Sequence, residues 1–175
     1  MSEIDEILQL KIKPREMQAK LVEAVLQKTI PVQDLIQYFE NARKTGKGIC
    51  ADVMEEISKQ QPEMLAPYLD MLIPYINYDL PKVKWGTQEV VANLAKSYPE
   101  KVAAAIPYLL KNTTGDAANT TVIKWCAAFA LTEIAKYNLQ ARKQLLPVFD
   151  NIIKNESNNG VKNVYVKALK KIEKS

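Results

Sequence analysis

The chain has 175 residues, an apolar fraction of 47% that is ample for one continuous core, and a formal charge of +4. Proteins that bind nucleic acid through their charge usually carry a denser basic footprint, and here the only arginines are Arg15, Arg43 and Arg142. Histidine is absent, which removes the commonest general base and zinc ligand.

The N-terminal residues 1–45 predict helices that follow no common repeat. Ser2 precedes three acidic residues within a turn and a half, the signature of a helix start, and Pro14 is expected to end that helix. A second helix is predicted over residues 15–28, and Pro31 opens a third. Gly46 and Gly48 are expected to separate the third helix from the fourth.

A period near forty residues governs the rest of the chain. Lys84-Trp85 returns as Lys124-Trp125, and several neighbouring apolar residues return at the same offset. Such a period is typical of stacked helix pairs, none of which can bury its apolar face alone. The first helix of each pair carries its predicted buried stripe at steps of four, three, one and three: Val83, Thr87, Val90, Val91 and Leu94; then Ile123, Ala127, Ala130, Leu131 and Ile134; then Val161, Tyr165, Ala168, Leu169 and Ile172.

The second helix of each pair is predicted to begin near Pro62, Pro99 or Leu139. Three further prolines lie deeper in these helices, where each deletes a backbone hydrogen bond, so we expect a bend or a short helix at each of them. They are Pro67, Pro107 and Pro147. Loops are predicted at 77–81, 112–121 and 155–160.

The repeated helix resembles the first helix of HEAT repeats. Val83-Lys84 with Val90-Val91, and Ile123-Lys124 with Ala130-Leu131, carry the likeness, together with the prolines that open the partner helices. The resemblance implies an all-α fold, a right-handed α-α superhelix of about four helical hairpins with a terminal capping helix. We therefore expect a single domain over 1–175, with divergent helices over 1–45 and recognisable repeats over 46–175.

The two cysteines and the termini bear on the compartment. Cys50 and Cys126 belong to units two apart, about 20 Å at ordinary helix spacing, which is too far for a disulfide. Free buried thiols suit a reducing compartment. The acidic N-terminus lacks an apolar signal core, and no run of residues approaches a membrane span. A soluble cytoplasmic protein is the expectation.

Lysines recur in one slot of successive units, at Lys47, Lys84, Lys124 and Lys162. A cation at a helix start opposes the helix dipole, so a repeated one has two interpretations. It forms a basic ridge for an acidic partner or phosphate backbone, or it is structural and bonds carbonyls of the turns between repeats or an acid such as Asp79.

Aromatic residues provide the other binding candidates. Trp85 and Trp125 adjoin the lysines and either stack a base or anchor a peptide, or fill space between units. Tyr68 and Tyr108 share a slot on the partner helices, which line the concave face in HEAT-like proteins. They are candidates for a peptide groove, and packing with a surface hydroxyl is the alternative.

The last helix is strongly polarised, with a basic face formed by Lys167, Lys170, Lys171 and Lys174. A polar outer face on a terminal repeat keeps a solenoid soluble. The functional alternative is a surface for an acidic ligand or an anionic membrane surface.

No catalytic, metal-binding or cofactor motif is found in the sequence, and Glu55-Glu56 is interpreted as a solvated helix face. We therefore expect a non-enzymatic scaffold or adaptor for a protein or peptide partner, with no cofactor. The alternative is a nucleic-acid-binding HEAT-like protein related to alkylpurine DNA glycosylases, whose catalytic acid has no match here. A subunit that completes a larger assembly is a third possibility, and self-association stays open.

Overall fold

The computed structural model describes residues 1–116 and 118–175; Ala117, inside the loop predicted over 112–121, lies outside them. About 79% of the chain is helical, and the described residues contain no strand. The all-α prediction is confirmed. The α-helices are α1 (Glu3–Leu8), α2 (Pro14–Leu26), α3 (Val32–Asn41), α4 (Lys44–Gln60), α5 (Leu69–Leu72), α6 (Pro81–Leu94), α7 (Pro99–Val102), α8 (Ile106–Lys111), α9 (Thr121–Tyr137), α10 (Leu139–Asn155) and α11 (Asn159–Glu173).

Polar caps define several helix starts. Ser2 and Asp5 form a reciprocal capping box at α1, as the sequence predicts. Thr120, Asn138 and Asn158 precede α9, α10 and α11, and each accepts a hydrogen bond from the backbone NH three residues later. These bonds satisfy NH groups that the first turn of a helix leaves without partners. The starts of the last three helices are therefore fixed by local sequence.

The long helices pack in chain order as one layer. Helix α2 contacts α4, α4 contacts α6, α6 contacts α9, and α9 contacts α11. The shorter second-helix segments form a second layer, in which residues 73–77 contact α8 and α10 packs on α9 and α11. This order of contacts is compatible with the predicted solenoid of helix pairs.

Three side-chain contacts between adjacent long helices join residues 35 to 37 positions apart. Asn93 donates to Ser58 Oγ, Gln88 donates to the backbone oxygen of Ile123, and the Cys126 thiol lies 3.5 Å from Glu89 Oε1. This offset is shorter than the period near forty residues because the two facing sides of neighbouring helices carry different slots of the repeat. Residues in the same slot therefore lie on adjacent helices without directly facing each other.

The predicted stripes form the core. All predicted stripe residues of α6 and α9 are buried, as are Val161, Tyr165 and Ala168 of α11. The Thr87 hydroxyl donates to the Val83 carbonyl at 2.7 Å, which removes the penalty for burying it. Leu169 and Ile172 are half-buried and pack against the same core.

Two sequence predictions about helix continuity are wrong. Gly46 and Gly48 lie inside α4, which begins at Lys44. No glycine among the described residues has a positive φ, so neither breaks the helix. Pro147 lies within the continuous helix α10. It is exposed, so water can bond the carbonyl that its ring leaves without a donor.

The other two inner prolines behave as predicted. Around Pro67 the second layer is a series of short 3₁₀ and α segments, from Pro62–Met64 to Ile73–Asn77. Around Pro107, the 3₁₀ turn Ala103–Ala105 separates α7 from α8. Helices in this layer are therefore short until α10. The described part of the chain has no helix long and apolar enough for a membrane crossing.

Candidate functional site

Lys47 is buried, with a relative exposure of 4%. Its ammonium group donates to the backbone oxygens of Phe39 and Glu40 at the end of α3. It also lies 4.7 Å from the ring centroid of Phe39, 5.2 Å from that of Tyr75 and 5.6 Å from that of Tyr78. Burial lowers the pKa of this amine. The structural interpretation, a cation that bonds turn carbonyls, accounts for Lys47.

The remaining lysines of that slot are only partly accessible. Lys84, Lys124 and Lys162 are half-buried, and Lys124 Nζ lies 3.4 Å from Glu156 Oε2. Glu156 is itself buried and accepts a bond from the backbone NH of Asn158. Together with the buried Lys47, these positions do not form one continuous exposed ridge.

The two tryptophans differ in exposure. Trp85 on α6 is half-buried, whereas Trp125 on α9 is 41% exposed. The Trp125 ring lies 5.6 Å from the ring of Phe129, with the two planes tilted by 32°. This geometry is within the range of favourable aromatic pairs. Trp125 therefore presents to solvent an aromatic surface that packs against Phe129.

A groove of about 360 Å³ runs between α9 and α11 beside Trp125. Trp125, Phe129 and Thr132 line it from α9, and Val164 and Ala168 contribute apolar surface from α11. Its other lining residues include a paired acid and base, Glu133 and Lys136, and two lysines of the basic face, Lys167 and Lys171. The structure therefore joins Trp125 and half of the basic face, which the sequence presents as separate features.

The sequence pattern explains why the groove lies at this end of the layer. Phe129 on α9 and Lys167 on α11 occupy equivalent positions of their repeats, as do Trp125 and Asn163. The last unit thus replaces a large aromatic residue with a short amide and opens the space beside Trp125. Phe129 was missed in the sequence analysis, although it follows Val122 and Trp125 at steps of three and four residues.

The tyrosine candidates belong to another region. Tyr68 ends a 3₁₀ turn and Tyr108 lies in α8, and both are half-buried against the core. The Lys111 ammonium lies 5.8 Å from the ring centroid of Tyr108, and Asn77 donates to the Tyr108 carbonyl. Both tyrosines lie in the second layer and are not part of the α9–α11 groove.

Charge is distributed unevenly along the chain. Residues 121–175, which form α9 to α11, hold ten Lys or Arg and four Asp or Glu, a net charge of +6. Residues 1–120 hold fourteen Lys or Arg and sixteen Asp or Glu, a net charge of −2. The groove therefore lies within a basic region, whose field attracts acidic partners.

A half-buried carboxylate, Glu89, lies on α6 and faces α9, which forms one side of the groove. Burial is the main cause that raises its pKa to about 7, and the neighbouring carboxyl of Glu55, which shares a hydrogen bond with it, adds to the shift. Glu55 also accepts a bond of 2.8 Å from Lys59, and the Cys126 thiol is near Glu89. Glu55 is thus half-buried and engaged with α6, which differs from the solvated face that the sequence predicts.

The raised pKa of Glu89 predicts a pH-dependent stability. The folded state holds the proton more tightly than the unfolded chain, so this contribution is complete below about pH 4.5 and is lost as the pH rises through about 7. Because Glu89 is partly solvated, we expect a loss of about 1 kcal/mol. Glu89→Gln should remove this dependence in urea unfolding between pH 5 and 8, whereas the exposed Glu100→Gln should keep it; an unchanged profile in Glu89→Gln would contradict the assignment.

The two cysteines are free and buried. Burial raises the pKa of Cys50 to about 12, and burial together with Glu89 raises that of Cys126. Neither thiol is poised for nucleophilic chemistry, since thiolate is the reactive form. The described residues include no cluster of three or more Cys, Asp or Glu arranged to hold a metal ion.

Comparison with known proteins identifies the fold and no family. No protein-family model matches the sequence, and no curated protein matches it. Among solved structures, the chain is similar to an engineered protein determined by the Northeast Structural Genomics Consortium, with a TM-score of 0.74 and 15% sequence identity. The alignment covers 98% of this chain and 78% of that protein. At this identity the likeness concerns the fold alone.

Proposed function

We propose that this protein is a non-enzymatic interaction scaffold of the HEAT-like solenoid type, and that the groove between α9 and α11 is its docking site for a protein partner. The observation that carries the proposal is the convergence of an exposed Trp125, its neighbour Phe129 and two lysines on one concave surface. Tryptophan in a pocket rimmed by polar residues is the typical composition of a binding hot spot.

A protein partner is proposed in preference to nucleic acid. A phosphate backbone needs basic groups that follow its length, but Lys47 is buried and Lys124 is paired with Glu156. The groove is also mostly apolar along α9 and the near side of α11. A short apolar surface with charge along one edge suits a protein segment better than a continuous polyanion.

Truncation of Trp125 tests the proposal. Tyr137 provides a matched control, because it lies on the same helix, is also 41% exposed, and does not line the groove. In affinity capture with the whole protein, Trp125→Ala should lower retention of specific partners about 30-fold, the effect of a hot-spot truncation of about 2 kcal/mol. Tyr137→Ala should leave retention unchanged. If both variants and the parent protein retain the same partners equally, the groove is not the docking site.

A further inference from the structure

The α9 side of the groove is an apolar stripe that continues beyond it. Val122, Trp125 and Phe129 follow one another at steps of three and four residues, and the first two are 50% and 41% exposed. Seven residues of helix span about 10 Å, or two turns. The buried stripe of α9 is formed by different residues, so these three residues form a second apolar stripe on the same helix.

The opposite side of the groove, formed by α11, carries lysines without acidic partners among the described residues. Lys167 and Lys171 line it, and Lys170 and Lys174 extend the same exposed face of α11. Within the described residues, none of these four lysines forms an ion pair, whereas Lys136 is paired with Glu133. Four ammonium groups are therefore available to carboxylates from outside the chain.

A groove between two packed helices accommodates a row of side chains from a third helix, as in ordinary helix packing. The described residues offer no sheet edge, so strand addition is excluded as a mode of recognition for them. An amphipathic helix presents its apolar anchors at spacings of three and four residues, which match the spacing of the stripe on α9. Its polar side would then face the lysines of α11.

We propose that the groove binds an acidic amphipathic helix of a partner protein, with its apolar residues against Val122, Trp125 and Phe129 and its carboxylates toward Lys167 and Lys171. This inference rests on the proposed docking function and names the chemical class of the partner. The groove volume of about 360 Å³ is at the small end of the range for binding pockets. Few anchoring side chains fill it, and the charge pairs select the partner.

The test uses the full-length Trp85→Phe variant, in which Trp125 is the only tryptophan. The probe is a helical peptide of about sixteen residues, roughly 24 Å long, with leucine on one face and glutamate on the other. A scrambled peptide of identical composition, a version with lysine in place of glutamate, and single-stranded oligothymidylate serve as comparisons. The acidic amphipathic peptide should shift Trp125 emission and bind about tenfold more tightly than each comparison at low salt.

Reversing the charge of two groove lysines provides the most direct test of the acidic-helix assignment. In Lys167→Glu/Lys171→Glu, both changes lie on an exposed face, and preference should switch from the glutamate peptide to the lysine peptide. Equal binding of scrambled and amphipathic peptides, absence of the switch, or tighter binding of the oligonucleotide would overturn the inference. If the peptides fail while Trp125→Ala still loses captured partners, the docking function stands and only the acidic-helix assignment falls.

Discussion

Lys47→Met should lower the free energy of unfolding by about 3 kcal/mol. Methionine keeps most of the side-chain volume, so the change removes the ammonium group with little cavity. Two backbone carbonyls, of Phe39 and Glu40, then lose the donor that satisfies them, and the rings around the cation lose its attraction. Hydrogen bonds from a charged group contribute about 1.5–3 kcal/mol, and a buried cation–π contact adds further stabilisation.

Lys44→Met is the matched control, because Lys44 lies on the same helix and is exposed. We expect its free energy of unfolding to change by less than about 0.5 kcal/mol. Urea unfolding followed by circular dichroism measures both. A Lys47→Met protein as stable as its parent would contradict the structural interpretation of Lys47, because the bonds from its ammonium group would then contribute nothing to folding.

Gly86→Ala should destabilise the protein by about 1–2 kcal/mol, although alanine is the better helix former by about 1 kcal/mol. A Cβ at this position would lie 3.1 Å from both the Cβ and the backbone oxygen of Ala51 on α4. Backbone atoms cannot move aside, so α4 and α6 would have to separate along their contact. Overpacking of this kind costs about 1–3 kcal/mol.

Gly48→Ala should have the opposite effect on stability. The added Cβ would meet Lys82 Cδ at 3.3 Å and Cβ at 3.5 Å. The exposed Lys82 side chain pairs with Asp52 at 3.0 Å, and a shift of a few tenths of an ångström at Cδ relieves the contact without breaking that pair. Gain of helix propensity should then stabilise the protein by about 0.5–1 kcal/mol. Thermal unfolding of the two variants gives the comparison. Equal effects at both glycines would mean that the close approach of α4 and α6 is misplaced.

Helix type and buried stripes could be predicted from the sequence because they depend on local periodicity. Val83, Val90 and Ile123 follow a helical period whatever lies beyond them, and burial of one apolar face follows from that period. The errors at Gly46, Gly48 and Pro147 arise because glycine and proline disfavour a helix only locally. The helix continues through the two glycines, and at the exposed Pro147 water can supply the hydrogen bond that the ring cannot.

Contacts between units were harder to predict because they depend on which sides of neighbouring helices face each other. The sequence period relates equivalent positions, whereas side chains bonded between adjacent long helices are 30 to 37 positions apart. The Glu55–Glu89 contact is therefore hidden in the repeat, and so is the convergence of Trp125 with Lys167. Lys47 illustrates the same limit, since its slot predicts carbonyl bonds but not the aromatic rings around it.

The meeting of Trp125 and the basic face in one groove between α9 and α11 underlies the proposed function. A nitroxide attached at Lys171→Cys in the Trp85→Phe protein tests it through the fluorescence lifetime of Trp125, since the native thiols are buried and hardly ionised near neutral pH. The structure predicts strong shortening of that lifetime by a label at position 171 and no change by a label at Lys20→Cys on the exposed side of α2. Equal lifetimes for the two labelled proteins would contradict the account.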